Sequence, residues 1–213
     1  IEPPARGPQP SDWRSRGPDL EALRSIKLPE NPTEEEVRQY IKKIKKASRH
    51  QNSFSSDDPQ VRMLAAVGPE HLDMLLKHGL DHHRINFYVK RVAQRLAGPR
   101  HKELILDRLP LQPELVSIVL EKGWVEEAQD ILMKMLRNPM GDLPVEWVEA
   151  VASLEDPETY DALQDFLVRT KNPEQVYLAI KDLPGLDLKQ AVAKARERAP
   201  KRRSRFARQA MER

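Results

Sequence analysis

The sequence predicts an all-α chain built as a ladder of paired helices, and three observations support that class. Apolar residues recur at three- and four-residue spacing, while period-two alternation is nowhere sustained. The chain has 18 prolines in 213 residues, and they stand mostly between the apolar runs, where they open helices without breaking them. Aromatic residues make up only 5%, so the core must be built from Leu, Val, Ile, Met and Ala, a palette that suits helix packing better than a β-sandwich.

Residues 1–32 carry Pro3, Pro4, Pro8, Pro10, Pro18, Pro29 and Pro32 with few large apolar side chains between them, so an extended, polyproline-like arm is expected. Trp13, Leu20, Leu23, Ile26 and Leu28 are the exceptions: they can pin a helical turn or peg the arm onto a neighbouring surface. Thr33-Glu34-Glu35-Glu36 is a strong helix start, since a threonine cap and a glutamate three residues on satisfy two orphan amides reciprocally. The three glutamates suit the positive end of the helix dipole, and Lys42, Lys43, Lys45 and Lys46 suit the negative end. Val37, Tyr40, Ile41 and Ile44 give one apolar stripe, and the run from Ala47 to Asp58, with Ser48, Ser53, Ser55, Ser56 and an apolar Phe54, reads as loop. Residues 33–57 are therefore one amphipathic helix and a Ser-rich loop.

From residue 58 the spacing predicts helices over 59–67, 69–78, 83–97, 99–109, 113–122, 124–137, 144–154, 157–170, 173–182 and 186–199. Pro59, Pro69, Pro99, Pro113, Pro144, Pro157 and Pro173 each fall near a first helical position, where the missing amide costs nothing. Aligning the second helix of each pair places Pro69, Pro99, Trp124, Pro157 and Leu186 in correspondence, at a spacing of roughly 30 residues that signals stacked repeats. Leu72, Leu75 and Leu76, then Leu104, Ile105 and Leu109, then Ile131, Leu132 and Met135, then Leu163, Phe166 and Leu167 repeat an apolar face too small to be buried alone, so neighbouring pairs must cover one another.

These proline-punctuated, leucine-faced pairs resemble HEAT-type α-solenoid repeats over residues 58–199, and Lys122-Gly123-Trp124-Val125-Glu126-Glu127-Ala128 is similar to a single tetratricopeptide-type turn. The resemblance implies a right-handed α-solenoid of about five HEAT-like helix pairs, a scaffold that binds proteins or, less often, nucleic acid along one face. With the extended Pro-rich N-terminal arm and a basic C-terminal tail over 200–213, the chain is expected to be a non-enzymatic structural or interaction subunit in a hetero-oligomeric assembly with protein partners.

Composition narrows the chemistry. With no cysteine, disulfides, thiolate catalysis and Cys-ligated zinc are excluded. No serine sits in a glycine elbow, and the 8 glycines form no phosphate-cradling loop. The pairs Glu126 with Asp130 and Asp161 with Asp165 have the spacing of solvated helix faces. The six histidines, His50, His71, His78, His82, His83 and His101, crowd into residues 50–101; His78 and His82 are four apart with Asp81 beside them, but Gly79 between them breaks the helical geometry a metal would need. No cofactor or metal is expected. No apolar run approaches the roughly 20 residues that cross a bilayer, and Ile1 in place of Met reads as a processed form or fragment, leaving a cytoplasmic or an exported location equally open.

Charge is unevenly spread. Residues 194–213 hold nine Lys/Arg against two Asp/Glu, +7, so the remainder is −4 against a total of +3. From Gly141 to Val168 there is no Lys or Arg, while Asp142, Glu146, Glu149, Glu155, Asp156, Glu158, Asp161 and Asp165 accumulate. Such one-sided fields steer partners and fix docking orientation. The candidate partner contacts are Trp13, Trp124 and Trp147 together with Lys201, Arg202, Arg203, Arg205, Phe206 and Arg208; Trp124 and Trp147 read most simply as inter-repeat packing residues and become partner contacts if exposed. The alternative is a nucleic-acid-binding HEAT-like protein that uses this tail and the basic stretch Arg84, Lys90, Arg91, Arg95, Arg100 and Lys102.

Overall fold

A computed structural model describes residues 19–48 and 58–183, together with Lys189, Val192 and Ala193. The arm up to residue 18, the loop from 49 to 57 and the basic tail lie outside the described residues, as does the helix expected over 186–199 apart from those three positions. The described residues form eleven α-helices and no strand. The chain divides into two compact units, residues 1–97 and 98–213. The helix expected to stand ahead of the repeats is thus packed within the first unit.

That unit contains α1 (Leu20–Ser25), α2 (Glu34–Ala47), α3 (Pro59–Ala65), α4 (Leu72–Gly79) and α5 (Asn86–Leu96). Helix α1 corrects the expectation of an extended chain through residue 32. Ten residues without proline separate Pro18 from Pro29. Within them Asp19 caps the helix by accepting from the Ala22 amide at 3.0 Å, while its own amide donates to the Ala47 carbonyl at 3.0 Å. Leu23 is buried, and α1 packs on α2. At the start of α2 the capping box is formed: the Thr33 amide donates to Glu36 Oε2 at 2.8 Å and the Glu36 amide donates to Thr33 Oγ1 at 3.3 Å. These bonds hold the Glu36 carboxyl below its usual range. The stripe Val37, Tyr40, Ile41 and Ile44 is buried, and the Tyr40 hydroxyl donates to the Met63 carbonyl at 2.7 Å; burial pushes its pKa up to about 12.

The second unit contains α6 (Lys102–Arg108), α7 (Val116–Lys122), α8 (Gln129–Arg137), α9 (Val145–Ala152), α10 (Pro157–Arg169) and α11 (Pro173–Ile180). Helices α4, α6 and α7 are entered through 3₁₀ turns at Pro69–His71, Pro99–His101 and Pro113–Leu115. Amides in a first turn have no partner one α-turn back, so bonds such as His101 N–H to the Gly98 carbonyl at 2.9 Å close it more tightly. Residues 124–128, expected to be helical, are not: 125–128 are turns. Gly123 adopts φ +70°, and the Trp124 amide donates back to the Val119 carbonyl at 2.9 Å, a left-handed terminus that ends α7 and redirects the chain before α8. Residues 83–85 are likewise turn, closed by the Ile85 amide on the His82 carbonyl at 2.9 Å.

Within each unit several helices pack on the helix two places along as well as on a sequence neighbour. In the first unit α2 meets α3 and α4, while α5 meets α3 and α4; in the second α9 meets α7, α8, α10 and α11, and α10 meets α8. Leu64, Leu75, Leu76, Val89 and Val92 fill the first core, and Leu132, Leu136, Trp147, Val151, Leu163 and Leu167 the second.

Candidate protein-binding surface

Both described tryptophans belong to the second core. Trp147 is 0% exposed and Trp124 8%. The Trp147 indole N–H donates to the Leu132 carbonyl at 3.1 Å, pinning α9 to α8. Neither presents a ring to a partner: α9 lies among four other helices, so its aromatic residue is spent on packing. Trp13, Lys201, Arg202, Arg203, Arg205, Phe206 and Arg208 lie outside the described residues.

The acidic run does reach the surface. Asp142, Glu149, Glu155, Glu158, Asp161 and Asp165 are exposed on α9, α10 and the turns before each, while Glu146 and Asp156 are half-buried. Asp156 caps α10 by accepting from the Glu158 amide at 2.9 Å. Two cations from outside the run answer it: Arg137 pairs with Glu158, and Lys171 with Asp142 at 3.2 Å. Glu149, Glu155, Asp161 and Asp165 form no ion pair among the described residues. Arg169, on α10, donates to the Arg137 carbonyl at 2.6 Å and thus caps the C-terminus of α8. Between α8 and the start of α10 lies a polar groove of about 320 Å³, rimmed by Asp130, Lys134, Asn138 and Glu158 over Met133. Met140, in the turn leading into the run, is 70% exposed.

A second groove, of about 380 Å³, lies in the first unit between α1 and α2. Ala22, Ile26 and Ala47 give it an apolar lining, with Lys43 and Lys46 on its rim. The residue pattern does not reveal this groove, because it exists only once residues 20–25 are helical.

Among the described residues the histidines do not converge on one point, and His50 lies outside them. His78 is exposed near the end of α4, and His82 follows in the turn. Among the described residues no group of three or more His, Asp or Glu could hold a metal ion. His101 is a buried cap whose Nδ1 accepts from the Gly98 amide at 3.1 Å. His82 stacks on His83 at 5.2 Å, and its Nδ1 is inaccessible without a hydrogen-bond partner. Burial first, then Lys45 on α2 with His83 and Arg84, lowers its pKa. The unfolded chain therefore takes up this proton at a higher pH than the folded one. Stability is fully present above about pH 6.5 and falls as the pH drops through that value. The denaturation midpoint of the wild type is expected to fall more between pH 7.5 and 5 than that of His82→Asn; equal slopes would show that His82 carries no such linkage.

The sequence matches no protein-family model, no curated protein and no solved structure. What the chain does must therefore be argued from its own surface.

Proposed function

We propose that this chain is a non-enzymatic structural or interaction subunit that binds protein partners through stacked HEAT-like helix pairs arranged as a right-handed solenoid, and through its termini, within a larger assembly. The observation that carries this reading is the outward display of Glu149, Asp161 and Asp165 on α9 and α10, with Glu155 on the link between them, while Met140, ahead of the run in sequence, is exposed. Unanswered surface charge suits recognition of a complementary surface, where it sets encounter rate and orientation. The packing of helices on those two places along supports the repeat reading.

A nucleic-acid role fits less well. Of the basic stretch, Arg100 and Lys102 belong to a different unit from Arg84, Lys90, Arg91 and Arg95, and Lys102 pairs with Glu127 at 2.7 Å. Over residues 98–183 nine Lys/Arg stand against seventeen Asp/Glu, a net −8 that repels phosphate backbones.

The test is quantitative recovery of cross-linked partners on the tagged full chain in its source cells, compared with Glu149→Gln/Asp161→Asn/Asp165→Asn. Recovery is expected to fall at least about fivefold, the effect of roughly 1 kcal/mol of rim charge, with the melting temperature unchanged. Equal recovery, or a chain recovered alone, would overturn the reading.

A further inference from the structure

Residues 19–48 and 58–97 hold thirteen Lys/Arg and ten Asp/Glu, a net +3, against −8 over residues 98–183, while the basic tail brings residues 98–213 as a whole to −1. The positive side is concentrated on α2, where Lys42, Lys43 and Lys46 are exposed and form no ion pair among the described residues. Lys43 and Lys46 stand about 4.5 Å apart along the helix and line the groove with Ala22, Ile26 and Ala47, together with Ser25 and with Asp19, whose carboxylate is engaged as the α1 cap.

The negative side offers a matching shape. Pro139-Met140-Gly141-Asp142 is a surface turn whose methionine is 70% exposed, and it opens the run that lacks Lys and Arg through Val168. An unbranched thioether adapts to an irregular gap, and a groove of about 380 Å³ holds it. When Met140 is seated, Asp142 lies no more than about 7 Å along an extended chain, within reach of both rim lysines. Its present partner Lys171 is exposed, so exchanging one ion pair for another costs little.

We propose that the α1–α2 groove of one copy takes the Met140–Asp142 turn of a second copy. The contact joins two different patches, so it is head-to-tail and generates rings or open chains rather than a closed two-fold pair. It adds self-association to the proposed interaction role, and because it uses Met140 of the same surface it competes there with any other protein partner.

Sedimentation equilibrium of the full chain tests it. The average mass is expected to rise above 24.6 kDa with concentration and to fall back as salt screens the pair. Met140→Ser is expected to weaken association at least about tenfold. Lys43→Glu/Lys46→Glu and Asp142→Lys should each weaken it similarly alone, while an equimolar mixture of the two associates again, because the reversed groove then meets a reversed turn. A wild-type chain that stays monomeric at every concentration overturns the proposal and leaves binding of other proteins untouched. Unchanged association in Met140→Ser, or no restoration on mixing, overturns it equally.

Discussion

Trp147→Ala is expected to destabilise the second unit by about 3–5 kcal/mol. Trp147 is among the largest fully buried side chains, and α9, which carries it, packs against α7, α8, α10 and α11. Truncation removes apolar area from the centre of four contacts and leaves a void that short helices on all sides cannot collapse into without losing their own packing. It also deletes the indole donor to the Leu132 carbonyl. Trp147→Phe keeps most of the ring and loses that donor, so a smaller cost of about 1–2 kcal/mol is expected. Against a total of roughly 5–15 kcal/mol for a folded domain, the alanine variant sacrifices a large share, and denaturant midpoints would resolve both. If Trp147→Ala unfolds within about 1 kcal/mol of the wild type, Trp147 does not hold this core together. Because the ring faces inward, the folded Trp147→Phe variant should recover partners as well as the wild type, which separates packing from recognition.

Much of this architecture was legible because it is written in local chemistry. Thr33 and Glu36 form a capping box at a spacing that needs no tertiary context. Pro59, Pro157 and Pro173 open their helices at the first position because the missing amide has no partner there in any fold. What was only half legible depends on contacts distant in sequence. The helical turn that Leu20, Leu23 and Ile26 could pin is α1, six residues long and too short to persist alone; it exists because Leu23 is buried and Asp19 bonds Ala47. The apolar spacing over 124–128 was indistinguishable from helix, since a left-handed Gly123 and the return bond from Trp124 are decisions of the turn. The candidate surface was half legible. The cation-free run from Gly141 to Val168 can be counted in the sequence, and it does reach solvent. Trp124 and Trp147 read most simply as packing residues and are buried, but a large aromatic side chain looks the same in sequence whether it plugs a core or a partner's pocket, so only the structure decides between the two.

Gly79→Ala is expected to destabilise the first unit by about 1–3 kcal/mol, against the usual direction for a helical glycine. Alanine in a helix interior ordinarily gains up to about 1 kcal/mol over glycine through lower chain entropy and better propensity. Here the added Cβ would stand 2.5 Å from Val89 Cγ2, far inside contact distance. Val89 cannot swing away, because a β-branched side chain on a helix has one strongly preferred rotamer, and it is fully buried where α5 meets α4. The two helices must therefore separate, opening the layer that also holds Leu75, Leu76 and Val92. Removing the obstacle should restore the ordinary sign: in a Val89→Ala background, which has its own cavity cost, Gly79→Ala is expected to be neutral or stabilising. The resulting double-mutant cycle should give a coupling of about 1–3 kcal/mol, read from denaturant midpoints of the four proteins. Additive effects would mean that α4 and α5 do not approach closely at Gly79, and the close packing of the first unit would have to be redrawn.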